Sequence, residues 1–467
     1  MADYSTGKTK SNRIINDVEV TTDVLSSRAG LALFVRYLRN IVLFPYLEDL
    51  FCKIRKSRKG QEISEIFKQL FCFFMDGTSR HLVYFDTLKK DEGYAGSIEI
   101  DPENMLSSHA VKRFFGAIWL PWTFMFRKVL QKLFLWRLHI VKPLVIVLGL
   151  DTMVMDNNEA QKREGVKPTY KKEKGFQPLQ MTWARFVIDA IFRSGDKHSN
   201  HGDSVEKMVR RIVELIRKHY RQDVPIVIRM DSGFFDQELF KIFESLRIGY
   251  ICGGKLYDDI TIYVGSADKS FWGRYENKDQ VWDYVEFGDR RGNWKRFRRA
   301  IFCSPKYEDK QMLLKFARPD TVIYTNLGMG ETIDDGLRKA GMEKLLTPEG
   351  IIETHHGRGC DELVHRALKD FSSEQLPFKR FYQNAAFYYT MLIAFFLYEA
   401  FKEDVCVPVI KISSYATTLR RRILDIAGKI VSHAGKITLK ITTSTWENLN
   451  FHQLWLNSKN PIQINRA

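Results

Sequence analysis

Val145-Ile-Val-Leu-Gly-Leu-Asp151 is a run of six uncharged residues closed by a carboxylate. A stretch of Val, Ile and Leu without a charge reads as a strand buried on both faces, and the Asp then stands at its carboxyl end. In an open mixed α/β sheet that edge is where ligands bind, so a carboxylate delivered there is placed for chemistry. An Asp that merely ends a strand in a turn gives the same local pattern. Val224-Pro-Ile-Val-Ile-Arg-Met-Asp231 repeats the arrangement, followed by Ser232-Gly233 and a helical pattern from Phe235 to Leu246. Two central strands then end on Asp at one sheet edge. Carboxylates brought together raise each other's pKa unless a cation lies between them, and hard divalent ions such as Mg2+ prefer oxygen ligands. The pattern asks for a third acid.

The chain order around these two strands sets the fold class. After Asp151 come a strand pair, Leu179 to Trp183 and Arg185 to Phe192, and an amphipathic helix from Ser204 to Tyr220. The strand ending in Asp231, its helix and a short strand from Tyr250 to Gly253 follow. This is the order of the ribonuclease H-like fold, an α/β mixed sheet flanked by helices, whose first and fourth strands bring their carboxylates side by side. From about Ile260 to Thr325 the texture becomes strand-like: Trp282 to Phe287, Trp294 to Phe302, Met312 to Phe316 and Thr321 to Thr325. These segments predict a β-rich insertion.

The third acid is expected on a helix after that insertion, within Ile352 to Lys369. At about 100° per residue, Arg358, Glu362 and Lys369 fall within roughly 40° of one another, with His355 beside them. One stripe would then carry a carboxylate flanked by cations. A solvated salt-bridged face gives the same spacing, and Gly357 and Gly359 weaken the helix at its start.

The 467 residues suffice for two or three domains, and the composition is that of a soluble globular protein. A formal charge of +16 makes a polyanion the expected partner, nucleic acid ahead of an acidic membrane surface. Six scattered cysteines without a CxxC pair suggest neither a zinc site nor a disulfide framework, and a reducing cytoplasm fits them. Residues 1 to 20 read as a loose polar arm with no signal peptide. The most apolar stretch, Ala385 to Tyr398, is too short to span a bilayer and predicts a buried core helix.

Upstream of the first strand the apolar spacing is helical. It runs from Ser27 to about Phe74, interrupted by the basic run Lys53 to Lys59, and again from Trp119 to His139. The basic run fits a solvated face or a phosphate-contacting surface equally well. Ser107 or Ser108 is an N-cap for a helix carrying Lys112 and Arg113, which has the form of a recognition half of a helix-turn-helix. Lys171, Lys172 and Lys174 beside Tyr170 and Phe176 interleave cations with aromatics, as a nucleic-acid surface or a plain surface hairpin would. In the β-rich segment, Trp272, Trp282 and Trp294 precede Arg296, Arg298 and Arg299. These tryptophans either reach DNA or pack the segment's own core.

Taken together, the motifs resemble the DDE transposases of bacterial insertion sequences, in the branch whose third acid lies in a Tyr-x2-Arg-x3-Glu-x6-Lys signature. Arg358, Glu362 and Lys369 match that spacing, and His355 stands where the family has Tyr. The context is similar too: Leu150-Asp-Thr with Tyr170-Lys-Lys-Glu-Lys-Gly-Phe-Gln-Pro178, Arg229-Met-Asp-Ser-Gly-Phe-Phe235, Asn384-Ala-Ala-Phe387 and Leu419-Arg-Arg-Arg-Ile-Leu424. The resemblance covers about Val145 to Leu439.

It implies a Mg-dependent enzyme that binds the terminal inverted repeats of its element, cleaves DNA at the ends and joins the 3′-OH to target DNA. Asp151, Asp231 and Glu362 would be the catalytic acids and the ligands of two Mg2+ ions, with Mn2+ able to substitute. The expected DNA contacts are His355, Arg358, Lys369, Lys171, Lys172, Lys174, Trp272, Trp294, Arg296 and Arg298. The partners would be double-stranded DNA and a second copy of the chain in a synaptic complex, in a bacterial cytoplasm at the nucleoid, with no membrane. The expected layout is a mainly helical DNA-binding region over 1–140, catalytic core over 141–260 and 346–440, the β-rich insertion over 261–345 and a C-terminal tail over 441–467. A ribonuclease H-like nuclease that cuts without joining, and a catalytically idle DNA-binding derivative, are the competing readings.

Overall fold

The computed structural model describes residues 15, 17–54, 60–277, 280–292, 294–306, 320–357 and 359–464. Most of the expected N-terminal arm, Arg55 to Lys59 of the basic run, the expected strand from Met312 to Phe316, and Arg358 lie outside the described residues.

The N-terminal region opens with strand β1 (Val24–Ser26) and continues as helices α1 (Leu31–Asn40), α2 (Leu43–Phe51), α3 (Ile63–Asp76), α4 (Tyr84–Leu88), α5 (Glu92–Ser97), α6 (Ser108–Gly116) and α7 (Leu120–Val141). Their ends follow local chemistry. Gly77 closes α3 in the left-handed region (φ 62°), where a side chain would run into the Arg420 guanidinium. The Ser107 hydroxyl caps α6 by accepting from the Ala110 amide at 3.2 Å. Pro121 lies in the first turn of α7, where no amide donor is missed.

The central elements are β2 (Ile146–Thr152), a small sheet of β3 (Met155–Asp156), β4 (Lys167–Pro168) and β5 (Lys174–Phe176), then β6 (Leu179–Trp183), β7 (Phe186–Ile191) and α8 (Ser204–His219). There follow β8 (Ile226–Met230), α9 (Gln237–Ser245), β9 (Gly249–Gly253), α10 (Asp258–Gly265), β10 (Trp272–Asn277), β11 (Gln280–Asp289), β12 (Arg298–Lys306) and β13 (Thr321–Thr325). One nine-stranded sheet runs in the order β10-β11-β12-β13-β9-β8-β2-β6-β7. Within it β2, β8 and β9 are parallel and β6 and β7 antiparallel, which is the ribonuclease H-like core. The strands expected as an insertion continue this sheet, because β13 pairs with β9 from Ile323↔Gly253 to Thr325↔Ile251.

The remaining elements are α11 (Thr332–Lys339), α12 (Pro348–His356), α13 (Gly359–Phe371), α14 (Phe381–Phe401), α15 (Ala416–Leu419), β14 (Gly428–His433), β15 (Lys436–Lys440), α16 (Thr443–Asn448) and α17 (Phe451–Asn457). As its composition requires, α14 is buried all round from Asn384 to Phe401 and packs against α3 and α7. Strands β1, β14 and β15 form a separate sheet that joins the two ends of the chain. The last helix returns to α1, where the Arg36 guanidinium lies 3.8 Å from the Trp455 ring centroid.

Alternation along β2 and β8 divides the interior into two cores. Leu148, Leu150, Ile228 and Met230 share the larger one with Tyr250, whose ring stacks on Phe240 of α9 at 4.5 Å. On the opposite face Val227, Ile251, Ile301 and Ile323 pack against Ile333 and Leu337 of α11 and Ile351 and Ile352 of α12. That second face also receives Gly149, Asp151, Arg229 and Asp231, one residue out of phase with the first set.

Candidate active site

Strands β2 and β8 run in step from Ile146↔Ile226 to Leu150↔Met230, so Asp151 and Asp231 each follow the last residue of that pairing, Asp151 remaining paired with Gln180 of β6 on its other side. Neighbouring strands lie about 4.8 Å apart, and the matched phase sends both carboxylates to the same face. Asp231 keeps extended backbone (φ −85°, ψ 179°), and its carboxylate accepts from the Gly233 amide at 2.9 Å. An Asp151 carboxylate oxygen accepts from the Thr152 amide at 2.7 Å. Tyr170, at the tip between β4 and β5, senses both acids: burial first, then the negative charges of Asp151 and Asp231, raises its hydroxyl above the usual phenol range.

The helix carrying the expected third acid crosses this face. The Asp361 carboxylate is buried over Gly149, accepting from Arg229 Nε at 2.8 Å, Arg229 Nη2 at 3.0 Å and the Thr182 hydroxyl at 2.8 Å. One turn later His365 Nδ1 lies 3.9 Å from an Asp151 carboxylate oxygen. Four helical residues advance about 6 Å and two strand residues about 6.6 Å, so α13 travels along β2 towards its acid end. Glu362 is exposed on the flank of α13, about 60° from His365 and about 20° from Lys369 around the axis.

The single helical stripe expected over Ile352 to Lys369 is corrected: the segment holds two helices, one ending at His356 and the next beginning at Gly359, consistent with the low helix propensity of Gly357 and Gly359. Glu362 and Lys369 share α13, whereas His355 ends α12. The imidazole Nε2 of His355 lies 3.3 Å from where a Cβ on Gly253 would stand, next to the Asp231 backbone. His356 packs, tilted, against Trp282 at 4.2 Å between ring centroids. Lys369 pairs with Glu374 at 2.9 Å on the wall of a cleft of about 570 Å³, which also holds Asp156, Asn158, Arg80 and Arg420. Arg420 holds the far end of α13, donating to the Phe371 carbonyl at 2.6 Å and to the Phe74 and Met75 carbonyls at 2.9 Å.

The donor chemistry of Asp151, Asp231 and Glu362, carboxylate oxygens only, suits a hard divalent cation. Two of the three stand side by side at strand ends and the third is carried by the helix over them. Among the described residues no three His, Cys, Asp or Glu side chains are gathered into a preformed metal cluster.

The residues expected on DNA divide in two. Lys171, Lys172 and Lys174 are exposed; the Lys171 ammonium lies 5.9 Å from the Tyr170 ring centroid and Lys174 donates to the Gln161 side chain at 2.7 Å. Trp294 and Arg298 point the other way, into the interior, correcting their placement on a DNA-facing surface. Trp294 packs against Phe235, Phe240 and Tyr324, and Arg298, 3% exposed, is bound to Glu244 and to the Tyr250 hydroxyl at 2.8 Å. Trp272 is half-buried against Phe302, and Arg296 is half-exposed between Glu244 and Glu331. Exposed aromatics in the same region are Tyr263, Phe271 and Phe297, the last beneath Arg290.

Sequence reasoning passed over Asp361, Arg229, Thr182 and His365. A signal was present for Arg229, which sits two residues before Asp231 and so must share its face in a strand. For Asp361 there was none, since an acid beside Glu362 is common on a solvated helix.

No helix among the described residues is long and apolar enough to cross a membrane. A mixed α/β sheet that carries acids at two neighbouring strand ends, with another on the helix above them, is the layout that the DDE resemblance implies. The chain matches the family described as Transposase DDE domain group 1 over residues 9–459, and belongs to that family. No curated protein matches it significantly. Among solved structures it is similar to the piggyBac transposase synaptic complex with hairpin DNA, determined by cryo-EM, with 11% identity over 85% of this chain and 79% of that one and a TM-score of 0.42.

Proposed function

We propose that this transposase binds the terminal inverted repeats of its element, hydrolyses a strand at each end and joins the freed 3′-OH to target DNA, with Asp151, Asp231 and Glu362 as its catalytic acids. The observation that carries this reading is the in-register placement of Asp151 and Asp231 beneath the helix that bears Glu362. Two divalent ions, Mg2+ with Mn2+ as substitute, would be held by these acids and would supply activation of the attacking oxygen and stabilisation of the leaving one.

The chain's own groups then bind and orient the phosphate. Lys369 and Arg358 neutralise charge around it, and His355 donates a hydrogen bond from the Asp231 side. Lys171, Lys172 and Lys174 hold the flanking backbone. Trp272 and the exposed Tyr263, Phe271 and Phe297 are proposed as the aromatics that meet a base displaced beside the cut. Two ends joined in one event call for at least two protomers. The site is proposed to serve a bacterial insertion sequence.

The test is cleavage of end DNA by Asp151→Asn, Asp231→Asn and Glu362→Gln, with end binding measured in parallel. The reading expects cleavage to vanish while binding stays. A variant that cleaves near the wild-type rate removes its residue from the site.

A further inference from the structure

Two residues behind the acids, on the same face of the same two strands, lies a second charged group of different character. Arg229 and Gly149 are cross-strand partners, and the Asp361 carboxylate sits on top of the pair. Asp361 is 2% exposed and the Arg229 side chain 13% exposed, and two nearly equal bonds form a bidentate fork. The Thr182 hydroxyl, from the strand on the other side of β2, supplies a third bond. Gly149 makes room for this: a Cβ there would collide with the Thr182 hydroxyl and stand 2.5 Å from an Asp361 carboxylate oxygen. The Arg229 guanidinium also lies 3.4 Å from the position of a Cβ on Gly357, beneath the break between α12 and α13.

This buried fork grips the first turn of α13, and the next residue along the helix is Glu362. Since helix positions are rigidly about 100° apart, fixing the direction of Asp361 fixes that of Glu362. The far end of the helix is held independently by Arg420 at the Phe371 carbonyl. We infer that Asp361 is a positioning residue: through Arg229 and Thr182 it sets the roll of α13 and so aims Glu362 at the strand ends that carry Asp151 and Asp231. The inference rests on the reading of Glu362 as the third acid. A helix free to roll moves that carboxylate by an ångström or more, and misplacement of that size costs about 10²-fold in rate.

The decisive variant is Arg229→Met with Asp361→Leu, because replacing a buried ion pair by apolar side chains of similar volume is often neutral for folding. Three readouts are taken beside the cleavage rate: melting temperature, end-DNA affinity, and Mn2+ affinity of the DNA-free protein by electron paramagnetic resonance. The inference expects melting temperature and DNA affinity close to wild type, cleavage lower by about 10²-fold and weaker Mn2+ binding. A folded double variant with wild-type cleavage and Mn2+ affinity overturns it. Should the double variant fail to fold, Gly149→Ala and Thr182→Val carry the same test: they disturb the seat of Asp361 and leave the charges in place. Wild-type Mn2+ affinity and cleavage in both overturns the inference, and loss in either at unchanged DNA affinity supports it. Glu362→Gln, run alongside, separates the two levels. If it cleaves like wild type, the third acid is misassigned; if it is inactive while the double variant is fully active, only the positioning role falls.

Discussion

Strands β2 and β8 carry two layers of charge, one turn of helix apart, and they are built on opposite principles. In the inner layer one carboxylate, Asp361, 2% exposed, meets one guanidinium, Arg229, 13% exposed, within 3.0 Å. In the outer layer two carboxylates, Asp151 and Asp231, are brought side by side at the sheet edge. Opposite charges matched in a largely buried site fix the direction of the groups that carry them, whereas like charges set together at an open edge are destabilising unless something positive is drawn between them. On the proposed reading the inner layer belongs to the scaffold and the outer one to the chemistry.

The largest effects are expected from breaking the outer layer. Asp151→Asn or Asp231→Asn should lower cleavage by more than about 10³-fold, while removing a like charge leaves stability unchanged or raised. Cleavage in gels and thermal melts of the same preparations check both halves. A large loss of stability in either variant would blur the contrast between the layers.

The inner layer should respond the other way. Asp361→Ala leaves Arg229 buried without its partner and is expected to cost about 3 to 5 kcal/mol of folding stability. Urea unfolding measures it, and a loss below about 1 kcal/mol would mean that the fork contributes little. A comparable cost, about 3 to 5 kcal/mol, is expected for Trp294→Ala, since its ring fills space among Phe235, Phe240 and Tyr324. Phe271→Ala, at an exposed ring, should leave stability within about 0.5 kcal/mol of wild type and act, if at all, on 2-aminopurine fluorescence beside the cut.

The smallest effect lies furthest from both layers. Lys171→Ala and Lys172→Ala should each lower the slope of log affinity against log salt by about 1, without changing which end sequence is bound. An unchanged slope in the double variant would detach the β4 to β5 tip from the DNA path.

What the sequence reveals follows the range of the interactions involved. The two strand ends were legible because an uninterrupted apolar run closed by Asp is a local pattern, and the order of strands around them was enough for the ribonuclease H-like core. The buried helix Phe381–Phe401 was legible for the same reason. The β-rich segment was read as strands, yet its attachment to β9 could not be, because pairing between Ile323 and Gly253 joins residues 70 positions apart and leaves no periodic mark. The roles of Trp294 and Arg298 were hidden likewise: a basic aromatic stretch looks alike whether Glu244 and Phe240 lie beneath it or DNA lies above. The Asp361 fork depends on three separate elements meeting, and its one local trace is Arg229 in phase with Asp231.

The most direct measurement of the central claim is a strand-transfer assay with the full chain, paired end DNA, Mg2+ and a supercoiled target plasmid. The account predicts plasmid-joined products that require Mg2+ or Mn2+ and disappear with Asp151→Asn. End cleavage without any joined product would mark a nuclease instead. Cleavage and joining undiminished in excess EDTA would contradict the acid site itself.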